Sequence, residues 1–292
     1  MPNTRDIRRR IRSVKNTAQI TKAMQMVASS KMRKAQQAAL AGRAYGKLLT
    51  DVLAAVRQQA GDFTHPLMEA RPVKRCAVIV VGTDKGLCGP LNGNLLREAA
   101  KLDVASTVFI VAGRKAAQFI ARTKRQLAGE FSPRDTPAFG EARAISRLAR
   151  TLFLEGHVDA VDVLFTSFVT TLVQQVQSLP LLPIGELGGL TLGLEGMASS
   201  AVLVKGQAEF LFEPNAATVF GSLLPHYLNF MLYQVLLEAK ASEHSARMVA
   251  MKNATDNATH LVKSLTLEYN KLRQSIITKE LLEIASAAVA ME

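Results

Sequence analysis

From Phe230 onward an apolar stripe returns at alternating steps of three and four residues: Phe230, Tyr233, Leu237, Ala241, His244, Met248, Met251, Thr255, Ala258, Val262, Leu265, Tyr269, Leu272, Ile276. Twelve of these fourteen positions are apolar, where the 48% hydrophobic content of the chain alone would place about seven. No Pro or Gly interrupts the stripe. A 3.5-residue period held over nearly seven heptads predicts a coiled-coil strand about 70 Å long. The N-terminus carries a weaker counterpart in Ile7, Ile11, Val14, Ala18, Thr21, Gln25, Ala28, Met32, Ala35 and Ala39. Its small residues would let a partner helix approach closely. A chain that leaves along one long helix and returns along another is built as a shaft. A shaft transmits force or distance, whereas catalysis wants a pocket.

The net charge of +12 is concentrated at one end. Residues 1–47 hold twelve Lys or Arg against one acid, Asp6, which is eleven of the twelve excess charges. Residues 226–292 carry seven of each sign. One helix is therefore a basic rod, suited to an acidic partner: nucleic acid, anionic headgroups or an acidic protein surface. Nucleic acid is disfavoured, because the rod lacks the interleaved aromatics and groove-reading polar side chains. No run of eighteen apolar residues occurs, so no membrane-spanning helix is expected. The N-terminal MPNTRDIRRRIR lacks an apolar signal core, and the seam runs through it, which predicts mature helix. The two cysteines, Cys76 and Cys88, form no disulfide framework or zinc pattern.

Between residues 73 and 215 the period changes. Arg75–Gly82, Thr107–Ala112 and Val158–Phe165 read as buried strands, and Leu95–Leu102, Arg114–Arg122 and Glu141–Glu155 as helices. This alternation predicts a Rossmann-like α/β domain with a mainly parallel sheet. Residues 185–196 read as a Gly-rich loop, and Phe210–Phe212 as a last strand before Pro214. The expected division is an N-terminal coiled-coil helix (1–60), the α/β domain (73–215) and a C-terminal coiled-coil helix (221–292).

The segment Gly82-Thr-Asp-Lys-Gly-Leu-Cys-Gly-Pro-Leu-Asn92 follows a strand and precedes a helix, where phosphates bind. Neither the dinucleotide nor the phosphate-loop pattern is present, and Pro90 removes an amide, so a packing turn is the preferred reading. Cys88 has no His beside it in sequence to act as a base, which favours an inert thiol. None of the five His residues forms a metal-spaced pair, and His244, on the seam, reads as a register residue. No catalytic, cofactor or metal site is expected. After Arg273 and Gln274 a second seam starts, shifted by one: Ile277, Leu281, Ile284, Ala288, Met291. Residues 284–291 are apolar at seven of eight positions, including Ile284, Ala285, Ala288, Val289 and Met291. A helix end apolar all round must be enclosed, and one partner helix cannot cover every face. A socket made by other chains is expected.

Three separated stretches then resemble one family. NTAQITKAMQMVASSKMRK (residues 16–34) resembles the N-terminal signature of the F-type ATP synthase gamma subunits. TDKGLCGPLN (83–92) is similar to their central motif, and ARMVAMKNATDN (246–257) with YNKLRQSIITKEL (269–281) to their C-terminal signature. The similarity spans the whole length in the same order. It implies an antiparallel left-handed coiled coil standing in a ring of alternating alpha and beta subunits. The α/β domain would touch epsilon and the c-ring, peripherally, at the cytoplasmic face of a bacterial inner membrane. Such a subunit is no enzyme by itself, needs no cofactor, binds no nucleic acid and does not form a homo-oligomer. The resemblance implies that Arg273 and Gln274 contact a beta-subunit loop, with Thr278 and Glu280 beside them. It implies that Met24, with Lys22, faces the acidic beta-subunit lever, and that the tip at Ile284–Met291 runs in a bearing. Gly82, Lys85 and Pro90 depart from the usual Ser, Arg and Gly of the central motif. The regulatory cysteine-pair insertion of the chloroplast type is not visible.

Three functions remain to be separated: a torque-transmitting rotor subunit, a nucleotide-dependent enzyme using residues 82–92, and a coiled-coil binder of nucleic acid or anionic membrane using residues 1–47.

Overall fold

The structure, a computed structural model, describes residues 4–59, 65–184, 213 and 215–289, leaving aside the side chains of 43, 54, 57–59, 216 and 287–289. The expected loop at 185–196 and strand at Phe210–Phe212 lie outside the described residues. The elements run α1 (Thr4–Gln59), a 3-10 turn (Pro66–Met68), β1 (Cys76–Val81), α2 (Leu91–Lys101), β2 (Thr107–Ala112) and α3 (Arg114–Arg122). They continue with β3 (Gln126–Phe131), α4 (Phe139–Leu154), β4 (Ala160–Phe168), β5 (Gln174–Leu182) and α5 (Ala216–Val289). Contacts group the chain into two compact units, Met1–Val27 with Met248–Glu292, and Ala28–Arg247.

The larger unit is built on a five-stranded sheet of order β3-β2-β1-β4-β5. β1 pairs in parallel with both β2 and β4, and β2 with β3, while β5 runs antiparallel to β4. The central strands are mainly apolar because both faces are covered, the exceptions being Thr107 in β2 and Asp162, Thr166 and Ser167 in β4. Ala77, Ile79 and Val81 point into one core with α4 and with residues of α1 and α5 such as Leu53, Phe220 and Leu232. Val78 and Val80 point into the other, under α2 and α3. At the strand ends Gly113 takes φ +119, and a Cβ there would lie 2.7 Å from the Gly82 carbonyl. The two chain reversals can therefore sit this close only with glycine.

β2 and α3 fall where the sequence places them. β3 and β5 were not expected, and the reason is their position. Both are edge strands: β3 is mostly exposed and carries Gly129, and β5 carries Pro180. Half-exposed edges need no apolar run, and an edge tolerates proline. α2 starts at Leu91 rather than Leu95, because the Pro90 carbonyl already accepts the Asn94 amide at 2.9 Å. β4 begins at Ala160 rather than Val158. The last turn of α4 still claims His157 and Val158, whose amides both donate to the Leu152 carbonyl, and Gly156 makes the reversal at φ +73.

The smaller unit is an antiparallel helix pair. Arg8 donates to the Tyr269 hydroxyl and covers its ring at 5.4 Å, and the Thr21 and Thr255 hydroxyls lie 2.7 Å apart. Thirteen residues forward on α1 match fourteen back on α5. The seam residues Ile7, Ile11, Val14, Ala18, Thr21 and Gln25 are among the covered positions of α1 here, with Met251, Thr255, Ala258, Val262, Leu265, Tyr269 and Leu272 among those of α5. The seam expected from Phe230 to His244 behaves differently. From Tyr227 to Ala246 nearly every residue of α5 is buried, including Glu238, Lys240, Glu243 and His244. That stretch is a core helix of the larger unit, enclosed on all sides, with the sheet and α4 as well as α1 supplying its neighbours.

Candidate functional site

The Gly-rich turn between β1 and α2 is held from within. The Thr83 hydroxyl donates to the Lys85 carbonyl at 2.8 Å, and the Asn92 amide donates to the Thr83 hydroxyl at 2.8 Å and to the Cys88 sulfur at 3.3 Å. Leu87 and Gly89 take left-handed φ of 62° and 60°. The carbonyls of Lys85 and Gly86 accept from the Arg247 guanidinium on α5 at 3.3–3.4 Å. Cys88 packs with Leu91 and Ala246, and burial pushes its thiol above the ordinary range. Cys76, half-buried beside the Asp162 carboxylate, is pushed up to about 12, chiefly by burial. Both sulfurs stay protonated at neutral pH and are poor nucleophiles. The turn is thus a clasp on α5, which is the packing role expected of it.

That clasp sits on buried charge. Glu243 binds Lys240 at 3.0 Å and Arg247 at 2.7 Å. His244 is almost wholly buried; its Nδ1 lies 3.4 Å from the Arg247 guanidinium, and its Nε2 is buried without a hydrogen-bond partner among the described residues. Asp135, ion-paired with Lys31 of α1, also acts on His244. Burial holds His244 below its ordinary pKa; Glu243 opposes this, and Arg247 and Lys240 reinforce it. His244 is therefore not a register residue of a two-helix seam but a neutral imidazole inside a charged core. Its unfolded form takes up a proton near pH 6.5, before the folded form does. Stability should fall as pH drops through and below about 6.5. His65 shifts in the same direction by burial, so the contrast with a variant isolates His244. Urea unfolding at pH 7.5 and 5.5 should show a smaller loss in His244→Gln than in the parent. Equal losses would show that His244 takes up its proton over the same pH range in both states.

In the smaller unit the sequence-expected contact residues divide into two groups. Thr4, where α1 begins, lies four residues before Arg8, so the antiparallel register brings it level with about Arg273 of α5. Beyond that level α5 has no partner helix among the described residues. Arg273, Gln274, Thr278, Glu280, Ile284 and Ala285 are all exposed, as is every other described side chain from 273 to 286. Thr278 bonds back to the Gln274 carbonyl, and Lys279 pairs with Glu283 at 3.7 Å. Ile277, Leu281 and Ile284 form an open stripe, with Leu281 and Ile284 62% and 68% exposed. The side chains of Ala288 and Val289, and Met291 altogether, lie outside the described residues.

The second group is on α1. Lys22 is exposed and Met24 half-covered. The structure adds two residues that sequence reasoning missed: Ile20 and Val27, 61% and 55% exposed, flank Met24 at helical spacing. The available signal was an apolar pair one heptad apart and off the seam. Arg9, Arg10, Arg12 and Lys15 are exposed along the same helix. Among the described residues no His, Cys, Asp or Glu cluster is placed to hold a metal ion, and no helix is long and apolar enough to cross a membrane.

Comparison with known proteins agrees over the full length. A family profile described as ATP synthase matches residues 3–291. The "ATP synthase gamma chain" of Opitutus terrae is 49% identical over 99% of both chains, and that of Methylacidiphilum infernorum 46% identical over the whole of both. Among solved structures, a chain of the Euglena gracilis mitochondrial ATP synthase (OSCP/F1/c-ring) matches with TM-score 0.69 at 22% identity, covering 99% of this chain and 94% of its own. A chain of the Tetrahymena thermophila mitochondrial ATP synthase central stalk and c-ring matches with TM-score 0.60 at 23% identity, covering 80% and 99%. At such identities these two show the shared fold.

Proposed function

Because the chain belongs to the ATP synthase gamma family, we propose that it carries torque through an unsleeved helix end. A gamma subunit is the non-catalytic central stalk of the synthase, with catalysis in other subunits. The observation that carries the proposal is the run of α5 from Arg273 onward: helical, apolar on more than one side, and without a partner helix among the described residues. Exposed Ile277, Leu281, Leu282 and Ile284 are tolerable only if another surface removes them from water.

In this reading the alpha and beta subunits form the sleeve around Ile284, Ala285, Ala288, Val289 and Met291. Arg273 and Gln274 meet a beta-subunit loop, with Thr278 and Glu280 next to it. Lys22 and Met24, joined by Ile20 and Val27, meet the acidic lever of beta: the apolar stripe supplies contact area and the basic face supplies attraction. Residues 1–60 and 221–292 act as the two arms of the shaft. The α/β domain at 73–215 is the foot that meets epsilon and the c-ring at the cytoplasmic face of the membrane. The relatives lend no support to the nucleic-acid or membrane-binding reading of residues 1–47.

A photo-crosslinking side chain placed at Gln274 in the assembled complex tests the arrangement. Cross-links to the alpha or beta subunits are expected. Cross-links to epsilon or the c-ring alone would overturn it.

A further inference from the structure

The outward face of α4 carries charge that no ion pair answers among the described residues. The helix turns Ala142, Ile145, Ser146, Ala149 and Phe153 to the core, all buried. Its other face presents Arg143, Arg147 and Arg150, spaced by four and three residues. Like charges at this spacing weaken a helix, so a merely soluble face would alternate signs. The acids nearby are engaged elsewhere. Glu141 accepts the Ala138 amide at 3.0 Å and lies 3.7 Å from Arg134, and Glu155 lies 3.3 Å from His157. None of the three arginines has an ion pair among the described residues. Arg150 is set apart again: it is half-buried, and its Nε is fully enclosed without an acceptor among the described residues. Burial, then Arg147 and Arg143, push its pKa below the ordinary range, which is the mark of uncompensated positive charge.

We propose that Arg143, Arg147 and Arg150 form a binding site for the phosphate chain of a phosphoanhydride. Planar guanidinium forks grip tetrahedral oxyanions bidentately, and a phosphate group carries more charge than one carboxylate can. The row spans about 10 Å along the helix, enough for linked phosphates to touch adjacent arginines and too long for a single phosphate to satisfy all three.

Isothermal titration of the full chain with sodium pyrophosphate at constant ionic strength tests this, with ATP and adenosine as separate arms. Saturable pyrophosphate binding is expected, weakened at least about tenfold in Arg143→Gln/Arg147→Gln/Arg150→Gln. The matching triple Lys variant should recover only part of it, because the charge returns without the fork. ATP binding as tightly as pyrophosphate, with adenosine silent, identifies the phosphate chain alone as the ligand; a tighter ATP arm identifies a nucleotide. The thermal midpoint of the Gln variant should not fall, since removing like charges costs α4 nothing, so lost binding cannot be assigned to lost folding. Absence of saturable binding overturns the proposal. So does binding that survives the α4 triple variant and disappears in Arg9→Gln/Arg10→Gln/Arg12→Gln, which would place the anion on the basic helix.

Discussion

Removing residues 273–292 should leave both folded units standing while ATP-driven ion pumping by the assembled complex falls by roughly tenfold or more, the loss of one 1.4 kcal/mol step in coupling. The two halves of this expectation rest on separate observations. Every described side chain from Arg273 to Ser286 is exposed, and Arg8 of α1 bonds to Tyr269, before this part of α5 begins. Truncation therefore removes no core contact, and the thermal midpoint of the isolated chain should move by less than about 3 °C, as for a surface change. In the complex the same cut removes the whole proposed bearing and the pair Arg273 and Gln274. Pumping driven by ATP, read by quenching of a pH-sensitive dye in membrane vesicles, is the measurement. Unchanged pumping with normal assembly would mean that the tip bears no load.

The second large effect is expected at Glu243. Its side chain is 4% exposed and answers two buried cations, Lys240 and Arg247, whose side chains are 8% and 11% exposed. Glu243→Gln keeps the shape and removes the charge. Leaving buried cations without their counter-charge costs about 3–5 kcal/mol, a large part of the total stability of a domain. By contrast Lys279→Ala, which breaks an exposed pair with Glu283, should change stability by less than about 1 kcal/mol. Arg247 also loses the carboxylate that aims it at Lys85 and Gly86, so amide exchange in the Gly-rich turn should quicken along with the global loss. A cost below about 1 kcal/mol by urea unfolding, with the turn still protected, would mean that the cations find other partners.

Local periodicity made much of this protein legible. The α1 seam from Ile7 to Ala39 repeats every three or four residues, and its members are among the covered positions of the helix. β1, β2 and β4 were readable because a strand covered on both faces is apolar at most of its steps. β3 and β5 were not, because an edge strand can carry Gly129 or Pro180 and still pair. The contact residues named from the resemblance remained names until the helix pairing showed where α5 outruns α1. Ile20 and Val27 escaped because exposure, not residue type, marks them.

By itself, then, the sequence determined the elements whose signal lies within a few neighbouring residues: the long amphipathic helices, the buried parallel strands and the concentration of charge on α1. Only the tertiary structure decided where the α5 stripe stops being a seam. At His244 the period is unbroken, yet the helix there is enclosed on all sides, and past Leu272 the same helix has no partner helix among the described residues. Periodicity reports which side of a helix is apolar. It carries no information about how many partners arrive, because those partners, such as Gly86 for Arg247 or Tyr269 for Arg8, come from the far end of the chain.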